Sequence, residues 1–163
     1  MTKTTNKVVE SLDKKYDELD EHTATIKKAA EEETLSLQMV RSYLDRWEGI
    51  KADAFRLKVK SRRQVNDATF AYEDSMRGSL KQGVKQSLNG GPQHYDERRA
   101  RYETEHLPLY SKLRERTETL EEIETFLKYI RDKEYWLGGI RYEYMEADKR
   151  QEYKGTKEYL SQG

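Results

Sequence analysis

From Val9 to Trp47 the chain places a seam residue at alternating steps of three and four. The series is Val9, Leu12, Tyr16, Leu19, Thr23, Ile26, Ala30, Glu33, Leu37, Val40, Leu44 and Trp47, with clear lapses at Thr23 and Glu33. That spacing lays one apolar stripe along a helix, and Lys and Glu between the stripe residues suit a solvated flank. The stripe is also about all the core such a chain can afford. Of 163 residues, 34% are hydrophobic and 38% charged, which excludes a thick layered interior and suits long helices that each bury a narrow seam. Only two prolines interrupt the chain, and long helices need such scarcity. Disorder is the competing fate of so charged a chain, and the regularity of the seam argues against it.

Gly49 breaks the register, so the first helix is expected over 6–47 and the second over 50–87. The second seam runs through Ile50, Ala54, Leu57, Val65, Ala68, Tyr72, Met76 and Leu80. The stretch "NGGP" at 89–92 is the strongest break signal, because two glycines precede a proline that disfavours helix at the residue before it. A short helix follows over 93–106, and Pro108 suits the first turn of a last helix over 108–149. There the seam is Leu109, Leu113, Leu120, Ile123, Leu127, Ile130, Leu137 and Tyr144, with weak places at Arg116, Glu134 and Arg141. Gly138 and Gly139 are expected to bend or end that helix. The fold class is therefore all-α, a single domain over 1–163 of long antiparallel helical hairpins with coiled-coil-like seams. A chain this polar is expected to self-associate, with Leu113, Leu120, Ile123, Leu127, Ile130, Leu137 and Tyr144 as the homo-oligomer contacts.

No enzymatic constellation is visible. His22, His94 and His106 lack a metal-ligand spacing, and neither a P-loop nor a strand-linked G-x-G-x-x-G occurs. Without cysteine there is no thiol or disulfide chemistry. No catalytic residue, metal or cofactor is expected. The N-terminus lacks the apolar run of a signal peptide, and no stretch reaches the apolar length of a membrane span, so a cytoplasmic protein is expected.

Charge is neutral in sum but not in place. Residues 1–48 carry 8 basic and 11 acidic side chains, residues 49–91 carry 9 and 4, and residues 92–163 carry 14 and 16. The positive middle contains "RLKVKSRR" at 56–63, with Arg56, Lys58, Lys60, Arg62 and Arg63 and no acid among them. Such a run is either a solvated helix face or a grip on a polyanion. "YDERRARY" at 95–102 sets Tyr95, Arg98, Arg99 and Tyr102 at i, i+3, i+4 and i+7. On a helix that is one face of two rings and two guanidinium groups. It fits base stacking beside a positive track, and equally tyrosines half-buried at a helix contact under arginine stems.

The stretches "IETFLKYIRDKEYWL" (123–137), "LDKKYDEL" (12–19), "YLDRWEG" (43–49) and "RYETE" (101–105) resemble parts of the phage UvsY recombination mediators. The resemblance implies a small, helical, ring-forming protein that binds single-stranded DNA and helps a recombinase displace the single-strand-binding protein, in the host cytoplasm if phage-encoded. By position in that plan, Arg56, Lys58, Lys60, Arg62 and Arg63 are the DNA contacts, and the C-terminal helix carries the oligomer contacts. A second resemblance competes. "WEGIKADAF" (47–55) resembles the Trp-x-Gly turn of small type VII secretion hairpins, and "YMEAD" (144–148) their Tyr-x-x-x-Asp/Glu export signal. A structural or scaffold coiled-coil protein of a virion is the third reading.

Overall fold

The computed structural model describes the backbone of residues 3–87, 102, 104 and 106–161, and side chains over 7–79, 102, 104 and 106–150. It contains three α-helices, α1 (Lys3–Glu31), α2 (Leu37–Ser87) and α3 (Leu107–Ser161), and no strand among the described residues. The all-α class is thus as expected, while the helix boundaries differ. The first turn lies at 32–36, and Gly49 sits inside α2. The break at 89–92 and most of the expected helix over 93–106 fall outside the described residues.

Two local devices place that turn. At the end of α1 the Thr34 amide bonds the Ala29 carbonyl at 2.8 Å and the Glu33 amide bonds the Ala30 carbonyl at 3.2 Å. Between these bonds Glu33 has φ 55°. This is a Schellman cap, with Glu in the left-handed position that glycine usually takes. Ser36 then caps α2, its hydroxyl accepting from the Met39 amide at 3.2 Å. At Gly49, by contrast, the helix simply continues. A glycine there costs about 1 kcal/mol relative to alanine, less than the burial of Trp47, Ile50 and Ala54 on either side contributes. Gly138 and Gly139 are likewise helical, so α3 runs on to Ser161.

The chain divides into two compact units, one of Met1–Glu10 with Arg56–Glu124 (unit 1) and one of Ser11–Phe55 with Thr125–Gly163 (unit 2). Unit 2 is a three-helix arrangement. Lys15 pairs with Asp53 at 3.7 Å and His22 with Trp47 at 3.2 Å, so α1 and α2 run antiparallel. Asp20 meets Lys133 and Lys27 lies by Trp136, so α1 and α3 run parallel. Leu19, Ile26, Val40, Trp47, Phe126, Ile130 and Leu137 fill the interior with essentially no exposure. Each such side chain contributes about 1.5–3 kcal/mol of burial. The seam lapse at Thr23 is satisfied by a 2.7 Å bond from its hydroxyl to the Leu19 carbonyl. At the end of α1 the seam passes through Ala29, not the expected Ala30, which is exposed. Glu134, a weak place in the α3 seam, accepts from Lys51 at 2.6 Å.

Unit 1 pairs the second half of α2 with the first part of α3. Contacts of Lys58 with Glu124, Gln64 with Arg116 and Tyr72 with Tyr110 set the two antiparallel. The gap between Leu57 and Val65 in the α2 seam is closed by Ser61, which is buried.

The proposed oligomer seam of α3 is in large part occupied inside the chain. Ile123, Ile130 and Leu137 are fully buried without any second copy, while Leu113, Leu120, Leu127 and Tyr144 are half-buried. The expectation of exposed seam residues assumed helices too polar to cover one another. The three-helix packing of unit 2 supplies that cover for Ile130 and Leu137, and Ile123 is buried within unit 1.

Candidate nucleic-acid interface

Residues 56–63 are helical, and burial fixes which way each one faces. Ser61 points inward and Leu57 is half-buried, as two neighbours of the α2 seam should be. A rotation of about 100° per residue then turns Arg56, Val59, Lys60 and Arg63 outward, and all four are exposed. Lys58 and Arg62 lie toward α3. There Glu124 accepts from Lys58 at 2.9 Å and stands 3.7 Å from Arg62. The hydrogen bond from Lys58, helped by the charges of Lys58 and Arg62, holds the Glu124 carboxyl below its ordinary value.

This corrects one expectation. The segment has no acid in sequence, but the fold brings Glu124, 66 residues from Lys58 and 62 from Arg62, to two of its five cations. Lys60 and Arg63 remain exposed and have no ion-pair partner among the described residues.

The outward stripe of α2 continues past the basic run. Phe70 follows Arg63 by seven residues, two helical turns or about 10.5 Å along the axis, and is 70% exposed. Arg77 follows by another seven and is also exposed. Beside the stripe, Gln64, Asp67, Ala68 and Ala71 of α2 and Leu109, Lys112 and Arg116 of α3 line a groove of about 200 Å³. Arg116 donates to the neutral amide of Gln64 and so keeps its charge unneutralised by that contact. Phe70, Lys112 and Arg116 were not among the expected binding residues. Phe70 had a signal, since it lies off the α2 seam between Ala68 and Tyr72. Lys112 and Arg116 had none, because their place beside α2 depends on the pairing register.

The second expected feature behaves differently. Tyr95, Arg98 and Arg99 lie outside the described residues. Tyr102 is only 2% exposed, stacks on His106 at 4.2 Å between centroids, and meets the Tyr72 ring edge-on at 5.5 Å. Its hydroxyl donates to the Tyr72 carbonyl at 3.1 Å. Tyr102 is therefore a core residue of unit 1 and not a stacking platform. A phenol half apolar and half polar suits a contact where a backbone carbonyl must be satisfied.

Among the described residues no three acidic, histidine or cysteine side chains are grouped to hold a metal ion, and no helix is long and apolar enough to cross a membrane. Comparison with protein families, curated proteins and solved structures finds no match to this chain.

Proposed function

We propose that unit 1 is a non-enzymatic surface for single-stranded nucleic acid. Arg56, Lys60 and Arg63 take the phosphates and Phe70 takes an unpaired base. The observation that carries this reading is the exposure of Lys60 and Arg63 without ion-pair partners, two turns from an exposed Phe70. A solvated face needs no aromatic ring; the exposed Asp67 and Asp74 stand one turn to either side of Phe70, and Arg63 and Arg77 stand two turns to either side. A positive track with an intervening ring is the arrangement that holds single strands, where each stacked base is worth about 1–3 kcal/mol. In the setting that the UvsY-like resemblance implies, the strand is DNA, and the protein partners are a recombinase and a single-strand-binding protein.

Anisotropy of a labelled oligothymidylate, measured over a range of salt, tests the proposal. Each phosphate contact contributes roughly −0.7 to the slope of log affinity against log salt. Lys60→Ala/Arg63→Ala should therefore weaken binding and flatten the slope by about 1.4. Phe70→Ala should weaken binding by about 1–3 kcal/mol with the slope unchanged. Parental affinity and slope in both variants would leave the segment as a solvated face.

A further inference from the structure

We propose that the outward face of α3 in unit 2 is a docking surface for a second copy of this chain. The two copies would cross antiparallel over Gly138 and Gly139. The proposal does not depend on nucleic-acid binding, and it uses the face opposite to the buried Ile130 and Leu137.

The starting observation is two tyrosines in the open. Tyr135 is 87% exposed and Tyr142 is 67% exposed. They are seven residues apart, so both point the same way about 10.5 Å apart along α3. Neither side chain has a hydrogen bond or a ring contact among the described residues. Between them, Gly138 and Gly139 have no atom within 4 Å of where a Cβ would stand. Each glycine costs the helix about 1 kcal/mol relative to alanine, and nothing within the chain crowds them. A bare backbone between two rings is a notch into which another helix can come close.

The order of residues along this face reads the same from both ends. A two-fold axis between Gly138 and Gly139 sets Tyr135 of one copy against Tyr142 of the other. The same axis sets Arg131 against Glu146, and both residues lie on the stripe. The pairing is isologous, as a two-fold interface requires, and the charges are complementary. Arg131 is exposed and carries no ion pair among the described residues. Glu146 is held by Lys149 at 3.2 Å in its own helix, and can accept from Arg131 of the other copy with its remaining oxygen. Lys128 and Lys149 oppose each other only at the ends, about 16 Å from the axis, where crossed helices have diverged.

Four tyrosine rings bring on the order of 600 Å² to such a contact. A specific interface buries about 1,000 Å² or more, so the arginine and lysine stems must supply the rest. Such an interface belongs to the small, transient class.

Sedimentation of the full chain against concentration reads the dimer directly. Tyr135→Ala/Tyr142→Ala should abolish it while leaving the helical circular dichroism unchanged, since both rings are exposed. Charge reversal then tests the axis. Arg131→Glu alone and Glu146→Arg alone each place like charges in both pairs, and should weaken the dimer by about tenfold or more. Mixing these two variants restores opposite charges in both pairs, and so does the double variant Arg131→Glu/Glu146→Arg. Both should recover association. A parent chain that stays monomeric through the micromolar range would overturn the proposal and leave this face to another partner. So would association indifferent to the tyrosines, or charge-reversed chains that do not recover when mixed.

Discussion

In unit 2 the buried set among the described residues is Leu12, Leu19, Thr23, Ile26, Ala29, Leu35, Val40, Trp47, Ile50, Ala54, Phe126, Ile130 and Leu137; in unit 1 it is Ser61, Tyr72, Tyr102, Thr119 and Ile123. The first is hydrocarbon except for Thr23, which bonds back to the Leu19 carbonyl. The second relies on rings with hydroxyls, and on hydroxyls that bond back to their own helix, as Thr119 does to the Glu115 carbonyl at 2.9 Å. The surfaces differ in arrangement. On α2, unit 1 sets the exposed Lys60, Arg63 and Phe70 along one stripe, while unit 2 carries the exposed Arg41 and Phe55 well apart. Among the described residues, unit 2 buries mostly hydrocarbon, and unit 1 buries a smaller and more polar set.

The largest expected effect follows from that contrast. Phe126→Ala in unit 2 should cost about 3–5 kcal/mol of stability, because a fully buried ring leaves a cavity. Tyr102→Phe in unit 1 removes only the bond to the Tyr72 carbonyl and should cost on the order of 1 kcal/mol. Urea denaturation of both variants measures the gap, and equal losses would erase the distinction between the cores.

The next effects concern where the chain turns and where it does not. Gly49→Ala should stabilise by about 1 kcal/mol, since the site is helical and roomy. Glu33→Gly should stabilise by roughly 0.5–1 kcal/mol by relieving a left-handed backbone. Thermal denaturation checks both. A loss of stability at Gly49→Ala would mean that the chain turns there.

The smallest effect is electrostatic and lies in unit 2. Hydrogen bonding from Tyr129, opposed by partial burial and reinforced by Lys133, holds the Asp20 carboxyl below its ordinary value. A depressed carboxylate stabilises the fold above its unfolded-state value, and that contribution is lost as pH falls through the folded-state one. Acidification below about pH 4 should therefore remove a few tenths of a kcal/mol at this site, because solvent screens an exposed pair. Asp20→Asn should show a correspondingly flatter acid limb in a denaturation series.

Much of this was legible in the sequence, and the failures have local causes. The three-four seam marks Leu12, Leu19, Ile26, Val40 and Trp47 correctly as core. The turn is not legible from glycine alone, since Gly49 is the stronger local break signal and the lapse at Glu33 the weaker one. The chain turns at that lapse, with a glutamate where a Schellman cap ordinarily has glycine, followed by the Ser36 cap. Stretches resembling a Trp-x-Gly hairpin lie within α2, so that likeness is one of residues and not of turn position. At the candidate site the composition of 56–63 is visible in sequence, and its neutralisation is not. Glu124 reaches Lys58 and Arg62 only through the antiparallel register of α2 and α3, which no local pattern encodes. Of the two readings open for Tyr102, the helix contact holds, and local sequence does not decide it because its partner Tyr72 is 30 residues away.

A matched removal of charge tests the central claim most directly. Lys60→Ala/Arg63→Ala takes one lysine and one arginine from the exposed stripe of unit 1, and Lys14→Ala/Arg41→Ala takes the same two residue types from exposed positions of unit 2. Both variants have the same net charge, so non-specific attraction to a polyanion falls equally. Binding of each to a labelled oligothymidylate at fixed salt should separate them. The unit 1 variant should lose affinity well beyond the unit 2 variant, and its salt slope should fall by about 1.4 against little change in the other. Equal losses in the two variants would contradict the account, since the positive stripe would then be no more a nucleic-acid surface than any other solvated face of the molecule.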